Sequence, residues 1–348
     1  MKYTKSYIDT IGYALAPVVV SSDEIEESLA PLYEKLHIPF GQLESLTGIH
    51  ERRWWPAGYA LSDGAIAAGR KALAQSSVTP ADIGAVVYCG VGRDNFEPAT
   101  ACRVAAELGI GGNTAIFDIS NACLGVINGI MDVSNRIELG QIRAGLVVSA
   151  ETARDIVEET IQKMLANPTM PFYIECLATM TGGSGAVAVL VTDGSFRATE
   201  EQNQVLGGVS LAAPEHHGLC TWGLERVDGP LRRQFMSTDA VSVLKHGVAL
   251  GLATWEALLA EMGWTRNAVD KVICHQVGHA NKDAILKSIQ IAPEKDFATF
   301  GYLGNMGTVS LPITAAIAGE RGHLVAGDRV AFLGIGSGLN CMMLGLRW

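Results

Sequence analysis

Apolar positions along the first half of the chain switch between helical and strand spacing, and the switches mark the elements. Residues 62–75 open with Ser62-Asp63 and continue as an Ala-rich stretch with Arg70 and Lys71 late, the charge order a helix dipole favours. The spacing there predicts a helix with a Ser-Asp cap. Residues 79–83 predict a short capped turn, and 85–89 is an apolar run of strand length ended by Gly90 and Gly92. Helical spacing returns over 97–108, with Pro98 where a first helical position tolerates it, and 114–119 is strand-like. The segment Asp118-Ile119-Ser120-Asn121-Ala122-Cys123 leaves that strand for a long apolar helix over 124–138, stopped by Gly140. A buried strand follows at 146–149. Residues 151–180 read as a polar insertion crossing the surface, and a strand at 186–191 closes the half.

The second half repeats this plan. It predicts a helix over 239–262, a strand at 271–274, a helix at 280–288, a Gly-rich turn at 304–307, a helix at 311–320 and a strand at 329–334. Aligned from Asn121 and from Asn305, the two stretches read strand-turn-helix-strand, ending in Val147-Val148 and Phe332-Leu333. Such a duplication implies an α/β protein with two mostly parallel-stranded layers wrapped by helices. A length of 348 residues also exceeds what one growing core accommodates.

Composition narrows the function. Hydrophobic residues make up 48% and glycines number 39, which suits buried sheets under closely packed helices. A formal charge of −10, with no clustered run of Lys and Arg, argues against nucleic acid as the partner. Arg232, Arg233, Lys245 and His246 are close enough in sequence to form a local basic patch, either a solvated face or a docking site for an acidic or phosphate-bearing carrier. Seven cysteines without CxxC spacing suggest neither a disulfide framework nor a zinc site, and fit reduced thiols in the cytoplasm. The first residues carry no apolar core of signal-peptide length, and no segment holds the roughly 18 unbroken apolar residues of a membrane span. Neither a G-x-G-x-x-G nor a G-x-x-x-x-G-K-[ST] loop occurs in a supporting context, so hydride transfer and nucleotide hydrolysis lack a foothold.

Three residues then draw attention by position. Cys123 lies at a strand-to-helix junction, where the positive end of the helix is expected to depress its pKa and favour the nucleophilic thiolate. An isolated cysteine is more often a small buried hydrophobe. His275 directly follows the strand at 271–274, at the strand end where α/β sites assemble, although a single histidine there is more often structural. Asn305, in Gly304-Asn305-Met306-Gly307, reads first as a turn residue. Together they supply a nucleophile, a proton-handling imidazole and a fixed N–H donor, a trio shared by papain-like hydrolysis and by thioester condensation.

Context separates the two. Thr47-Gly48-Ile49 with Arg52-Arg53, the predicted helix from Ser62, Asn121-Ala122-Cys123, Gly182-Gly183-Ser184-Gly185-Ala186, His275-Gln276, Gly304-Asn305-Met306-Gly307 with Pro312, and Gly334-Ile335-Gly336-Ser337-Gly338 extend over nearly the whole chain. With them the sequence resembles the β-ketoacyl-ACP synthase III family of the thiolase superfamily, and within it the OleA-like acyl-CoA condensing enzymes. The resemblance implies a five-layered α-β-α-β-α thiolase fold, with half 1–193 carrying the cysteine and half 194–348 the histidine and asparagine. It implies acylation of Cys123, an oxyanion hole made by the backbone N–H groups of Cys123 and Ser337, and a second one made by His275 and Asn305. It also implies a homodimer, acyl-CoA with an acyl or malonyl carrier protein as partners, and no metal or other cofactor.

Glu97 distinguishes the relatives. Decarboxylating synthases usually hold an apolar residue at the matching place, whereas OleA-like enzymes hold a glutamate reached from the partner subunit. Desolvation among acyl chains is expected to raise such a carboxylate towards general-base range; the plain alternative is a helix-start Glu complementing the dipole. Gln42 and Leu46 stand where many synthases stack Trp and Arg on coenzyme A, and Gly278-His279-Ala280 replaces the usual Asn-x-Arg after His-Gln. Lys245 and Lys287 match basic docking positions. The expected reaction is a Claisen condensation giving a 3-ketoacyl thioester, non-decarboxylative in the OleA manner. The alternatives are decarboxylative condensation with malonyl-ACP and a non-catalytic carrier-binding subunit.

Overall fold

The computed structural model describes residues 1–197, 203–226 and 232–348. Nine strands form one sheet in the order β11-β12-β13-β8-β1-β7-β6-β4-β5. They are β1 (Tyr7–Leu15), β4 (Ile83–Cys89), β5 (Ala115–Ile119), β6 (Ala144–Glu151), β7 (Gly185–Thr192), β8 (Asn203–Ala212), β11 (Lys271–Cys274), β12 (Arg329–Gly336) and β13 (Asn340–Arg347). Two small pairs stand apart: β2 (Val18–Ser21) with β3 (Glu51–Trp54), and the hairpin β9 (Cys220–Arg226) with β10 (Arg232–Thr238). Among the described residues β1 meets β8 where Tyr7 pairs with Gln204 and Ile8 with Asn203, and there the two wings of the sheet join.

Side-chain alternation turns the wings into layers, because successive residues of a strand face opposite sides. Val86, Tyr88, Leu146 and Val148 face outward against α4 (Leu61–Ala74) and α5 (Thr100–Glu107). Their neighbours Val87 and Val147 face inward with Phe332 and Leu344 of the other wing, enclosing α6 (Gly125–Glu138) and α12 (Ser310–Glu320). Ala331, Leu333 and Met343 face out from the second wing against α9 (Ala240–Met262) and α10 (His279–Ile289). The layers run helix, sheet, helix, sheet, helix, as the resemblance implies.

Several expectations need correction. The sheet is mixed rather than mostly parallel: among the described residues only β4–β5, β4–β6 and β11–β12 run parallel, because long strands at 7–15, 203–212 and 340–347, absent from the sequence reading, pair antiparallel. Segment 151–180 is no surface insertion. It holds α7 (Arg154–Ala166) and α8 (Met170–Cys176), whose Val157, Met164 and Tyr173 are buried with Ile25, Tyr33 and Leu43 of the short helices α1 (Ser22–Ser28), α2 (Ala30–Leu36) and α3 (Gln42–Thr47). α5 begins at Thr100 rather than beside Pro98, since the Asp118 carboxylate accepts from the Thr100 and Ala101 N–H groups at 2.9 and 3.0 Å. Ser62 lies buried inside α4, and Asp94 accepts its N–H at 3.3 Å in place of a local cap.

The long apolar helix α9 passes, by length and composition, for a membrane-spanning segment. Its Trp255, Leu258 and Leu259 are buried in the core of the second wing, so this fold gives the apolar face a protein partner.

Candidate active site

Cys123 stands two residues ahead of α6, in a 3-10 turn over Ala122–Leu124 that leaves β5. The backbone bends hard here: Ala122 has φ of +45°, a region that a residue with a Cβ seldom adopts. The bend presents Cys123 to a cavity of about 600 Å³, which Glu151, His275, Asn305 and Ser337 also line. Most of the remaining wall is apolar and includes Trp222, Met236 and Leu244 from the hairpin and α9.

Burial reverses the expected ionisation of Cys123. Removal from water pushes its thiol up to about 12, nearby Cys220 and Glu151 push the same way, and its own backbone N–H opposes them. The first turn of α6 is also partly spent, because Thr308 Oγ1 accepts from the Val126 N–H at 2.7 Å. The dipole is in place and dehydration outweighs it.

His275 follows β11, and its N–H donates to the Leu333 carbonyl at 2.9 Å. Gln276 fixes that strand end: its Nε2 donates to the Cys274 carbonyl at 2.6 Å, and its Oε1 accepts from Thr299 and Phe300 N–H at 2.8 and 3.1 Å. Among the described residues, buried His275 Nδ1 has no hydrogen-bond partner. Burial holds the imidazole down to about 4, so it is neutral at physiological pH.

Asn305 is clamped by the Gly182-Gly183 segment. Its N–H donates to Thr181 O at 2.9 Å, and its carbonyl accepts from Gly183 N–H at 2.8 Å. Gly304 makes the turn possible, with φ of +69° and space so tight that a Cβ would lie 2.7 Å from the Thr181 carbonyl oxygen. Asn305 Oδ1 accepts from the Gly307 N–H at 3.1 Å. A backbone N–H only donates, so the amide oxygen must face Gly307 and Nδ2 is left to donate elsewhere.

Ser337 follows β12, whose last residue packs on the nucleophile turn: a Cβ on Gly336 would lie 3.3 Å from the Cys123 nitrogen. Glu151, unassigned by the sequence reading, ends β6 and is 4% exposed. Its carboxylate accepts from Val91 N–H at 2.9 Å and Gly92 N–H at 3.4 Å, yet burial pushes the carboxyl up to about 7. The available signal was a carboxylate at the carboxyl end of an apolar strand.

Glu97 is not brought to this cavity by its own chain. It is exposed, beside Phe96 at 94% exposure, so the expected desolvation is not met within one chain. Lys245 and Lys287 are exposed on α9 and α10. Of the basic residues close in sequence, Arg233 approaches Glu159 at 3.5 Å, and His246 lies against His216 with ring centroids 3.9 Å apart.

Residues 259–348 match the family described as 3-oxoacyl-[acyl-carrier-protein (ACP)] synthase III C terminal. The whole chain is 60% identical to the acyl-CoA:acyl-CoA alkyltransferase of Shewanella oneidensis, with both chains covered completely. The chain belongs to the acyl-CoA:acyl-CoA alkyltransferase family. The Xanthomonas campestris alkyltransferase is 36% identical over the full length of both chains. A crystal structure of Xanthomonas campestris OleA, with a cysteine replaced by serine and with bound lauric acid and lauroyl-CoA, has a TM-score of 0.91 at 35% identity, covering 99% of this chain and all of that one. Other structures of that protein replace a glutamate or a histidine. This alkyltransferase-family chain is therefore an acyltransferase-type enzyme with the thiolase fold of OleA.

Proposed function

We propose that this enzyme joins two acyl-CoA molecules by non-decarboxylative Claisen condensation through an acyl-Cys123 intermediate. The observation that carries the reading is the meeting, in one largely apolar cavity, of a thiol, a neutral imidazole and a carboxamide whose N–H is free to donate. In the first step Cys123 Sγ bonds to the thioester carbonyl carbon, the bond to the coenzyme A sulfur breaks, and the thiol proton leaves with that sulfur. A thiol held near 12 is ionised in only about one molecule in 10⁵ at pH 7, so proton loss accompanies attack. The N–H groups of Cys123 and Ser337 hold the oxyanion, where preorganised donors count most.

In the second step His275 and Asn305 donate to the carbonyl of the next acyl-CoA and stabilise its enolate, and Glu97 takes the α-proton. The enolate carbon then attacks the acyl-Cys123 carbonyl, the bond to Sγ breaks, the proton taken by Glu97 passes to the departing thiolate, and a 3-ketoacyl-CoA is released. Half 1–193 supplies the nucleophile and half 194–348 the enolate donors. No metal or cofactor is called upon. In Xanthomonas OleA the substituted glutamate precedes the substituted cysteine by the same number of residues as separates Glu97 from Cys123, which supports the assignment of Glu97.

Glu97 reaches a cavity only from another copy, so the working unit is a homodimer. Half-exposed β5 at the sheet edge and the exposed Phe96 beside Glu97 support that reading. Seven free cysteines fit a reducing cytoplasm.

The match to synthase III favours one second reading, decarboxylative condensation with malonyl-ACP docked near Lys245 and Lys287. Incubation with a single acyl-CoA decides between them. The 3-ketoacyl product is expected without any malonyl donor, Cys123→Ala is expected to take up no acyl group, and Glu97→Gln to accumulate acyl-Cys123 by intact mass. A product that appears only when malonyl-ACP is added overturns the acyl-CoA reading.

A further inference from the structure

Asn121, next to the nucleophile turn, lines with Asn128 and Asn340 a second, polar cavity of about 310 Å³ that shares none of its lining residues with the apolar one. Three carboxamides are joined there in series. Asn340 Nδ2 donates to Asn121 Oδ1 at 3.1 Å, and Asn121 Nδ2 donates to Asn128 Oδ1 at 3.1 Å. Asn121 immediately precedes the strained Ala122, and its carbonyl accepts from the Leu124 N–H at 2.9 Å, closing the turn that holds Cys123. Asn340 opens β13, three residues after Ser337, and is so close to the intervening loop that a Cβ on Gly338 would lie 2.8 Å from its Nδ2. Asn128, on α6, anchors the far end.

We infer that Asn340, Asn121 and Asn128 form a positioning clasp that aligns the two backbone donors of the acyl oxyanion hole. The inference rests on the proposed acylation of Cys123. Those donors sit on segments more than 200 residues apart in sequence, one from each half of the chain. The Asn340–Asn121 bond is a side-chain tie between the two segments, and it braces the strained bend. Its partners are neutral, so the tie holds the bend without placing a charge on it. None of the three asparagines touches the reacting atoms; they act through the geometry of the Cys123 and Ser337 N–H groups.

The test exploits a difference between two reactions of one thiol. Acylation by an acyl-CoA passes through an oxyanion and needs both donors, whereas alkylation by iodoacetamide forms no such oxyanion at the hole. Asn340→Ala and Asn121→Ala are expected to slow single-turnover acylation of Cys123 by about 10- to 100-fold, the cost of a small misplacement of catalytic groups. The loss is expected in the rate constant with half-saturation by acyl-CoA unchanged, and the rate of iodoacetamide labelling at Cys123 is expected to stay at the wild-type value. Asn340→Gln keeps a neutral N–H donor for Asn121 and is expected to lose less rate than Asn340→Ala, which keeps the test open should an alanine variant fold poorly. Equal losses in both reactions, or no loss in either, overturn the clasp. A wild-type protein that reacts with iodoacetamide and with no acyl-CoA overturns the condensing reading itself, and the two failures are thereby told apart.

Discussion

Dehydration moves Cys123 and His275 away from charge together, one pushed up to about 12 and the other held down to about 4. The pair therefore meets substrate as thiol and neutral imidazole, and the cavity works by hydrogen-bond donation more than by stored charge. Glu151 is another dehydrated group of the cavity, with a carboxyl raised from the ordinary 4.5 to about 7. Because its folded value lies above its unfolded one, it contributes stability that is present below pH 4.5 and is lost as pH rises through 7. His275 has the opposite sign: its contribution is present above pH 6.5 and is lost as pH falls towards 4. Glu151→Gln keeps an oxygen for the Val91 and Gly92 N–H groups and removes the first effect. Its melting temperature relative to wild type is therefore expected to increase between pH 5 and pH 8, and a difference that does not vary with pH contradicts the assignment. Cys123, His275 and Asn305 were legible in the sequence because each follows a recognisable strand, helix or turn boundary. The ionisation of Cys123 and His275 was not legible, since burial is set by chain segments hundreds of residues away. Glu151 escaped because it begins a polar stretch in the sequence while it ends a buried strand in the fold.

The element that matters most is α6, and what positions it is tight packing. A Cβ on Gly129 would lie 2.5 Å from Cys89 Sγ and 2.6 Å from Val147 Cγ1, so the helix lies flush on the inner face of β4 and β6. Gly129→Ala gains helix propensity yet overpacks this contact. It is expected to destabilise the protein by about 1–3 kcal/mol in denaturant unfolding; an unchanged or raised midpoint contradicts the packing account. Elements with a pure period were readable: α4, α6, α9 and α12 fall within a few residues of expectation. Ends set by distant side chains were not, as with α5, where a carboxylate from β5 rather than Pro98 fixes the start. α7 and α8 were hidden because 151–180 mixes charge with apolar positions whose partners lie in residues 22–47.

At the scale of the whole molecule, the internal repeat is visible as two helices, α6 and α12, each preceded by a 3-10 turn that carries Ala122–Leu124 or Gly307–Val309. The repeat was legible from the alignment of Asn121 with Asn305; the antiparallel strands that fuse the wings were not, because their pairing is a property of register across the whole chain. The cavity that results is lined by Cys123, His275 and Asn305 but not by Glu97, and under the proposed function this incompleteness leads to the central claim that one copy's Glu97 serves another copy's Cys123. Co-expression of Glu97→Gln and Cys123→Ala chains, each inactive alone, tests it directly. Mixed dimers would contain one complete cavity, and random pairing is expected to restore condensation of a single acyl-CoA to about one quarter of the wild-type rate. A mixture that remains as inactive as its components contradicts the account.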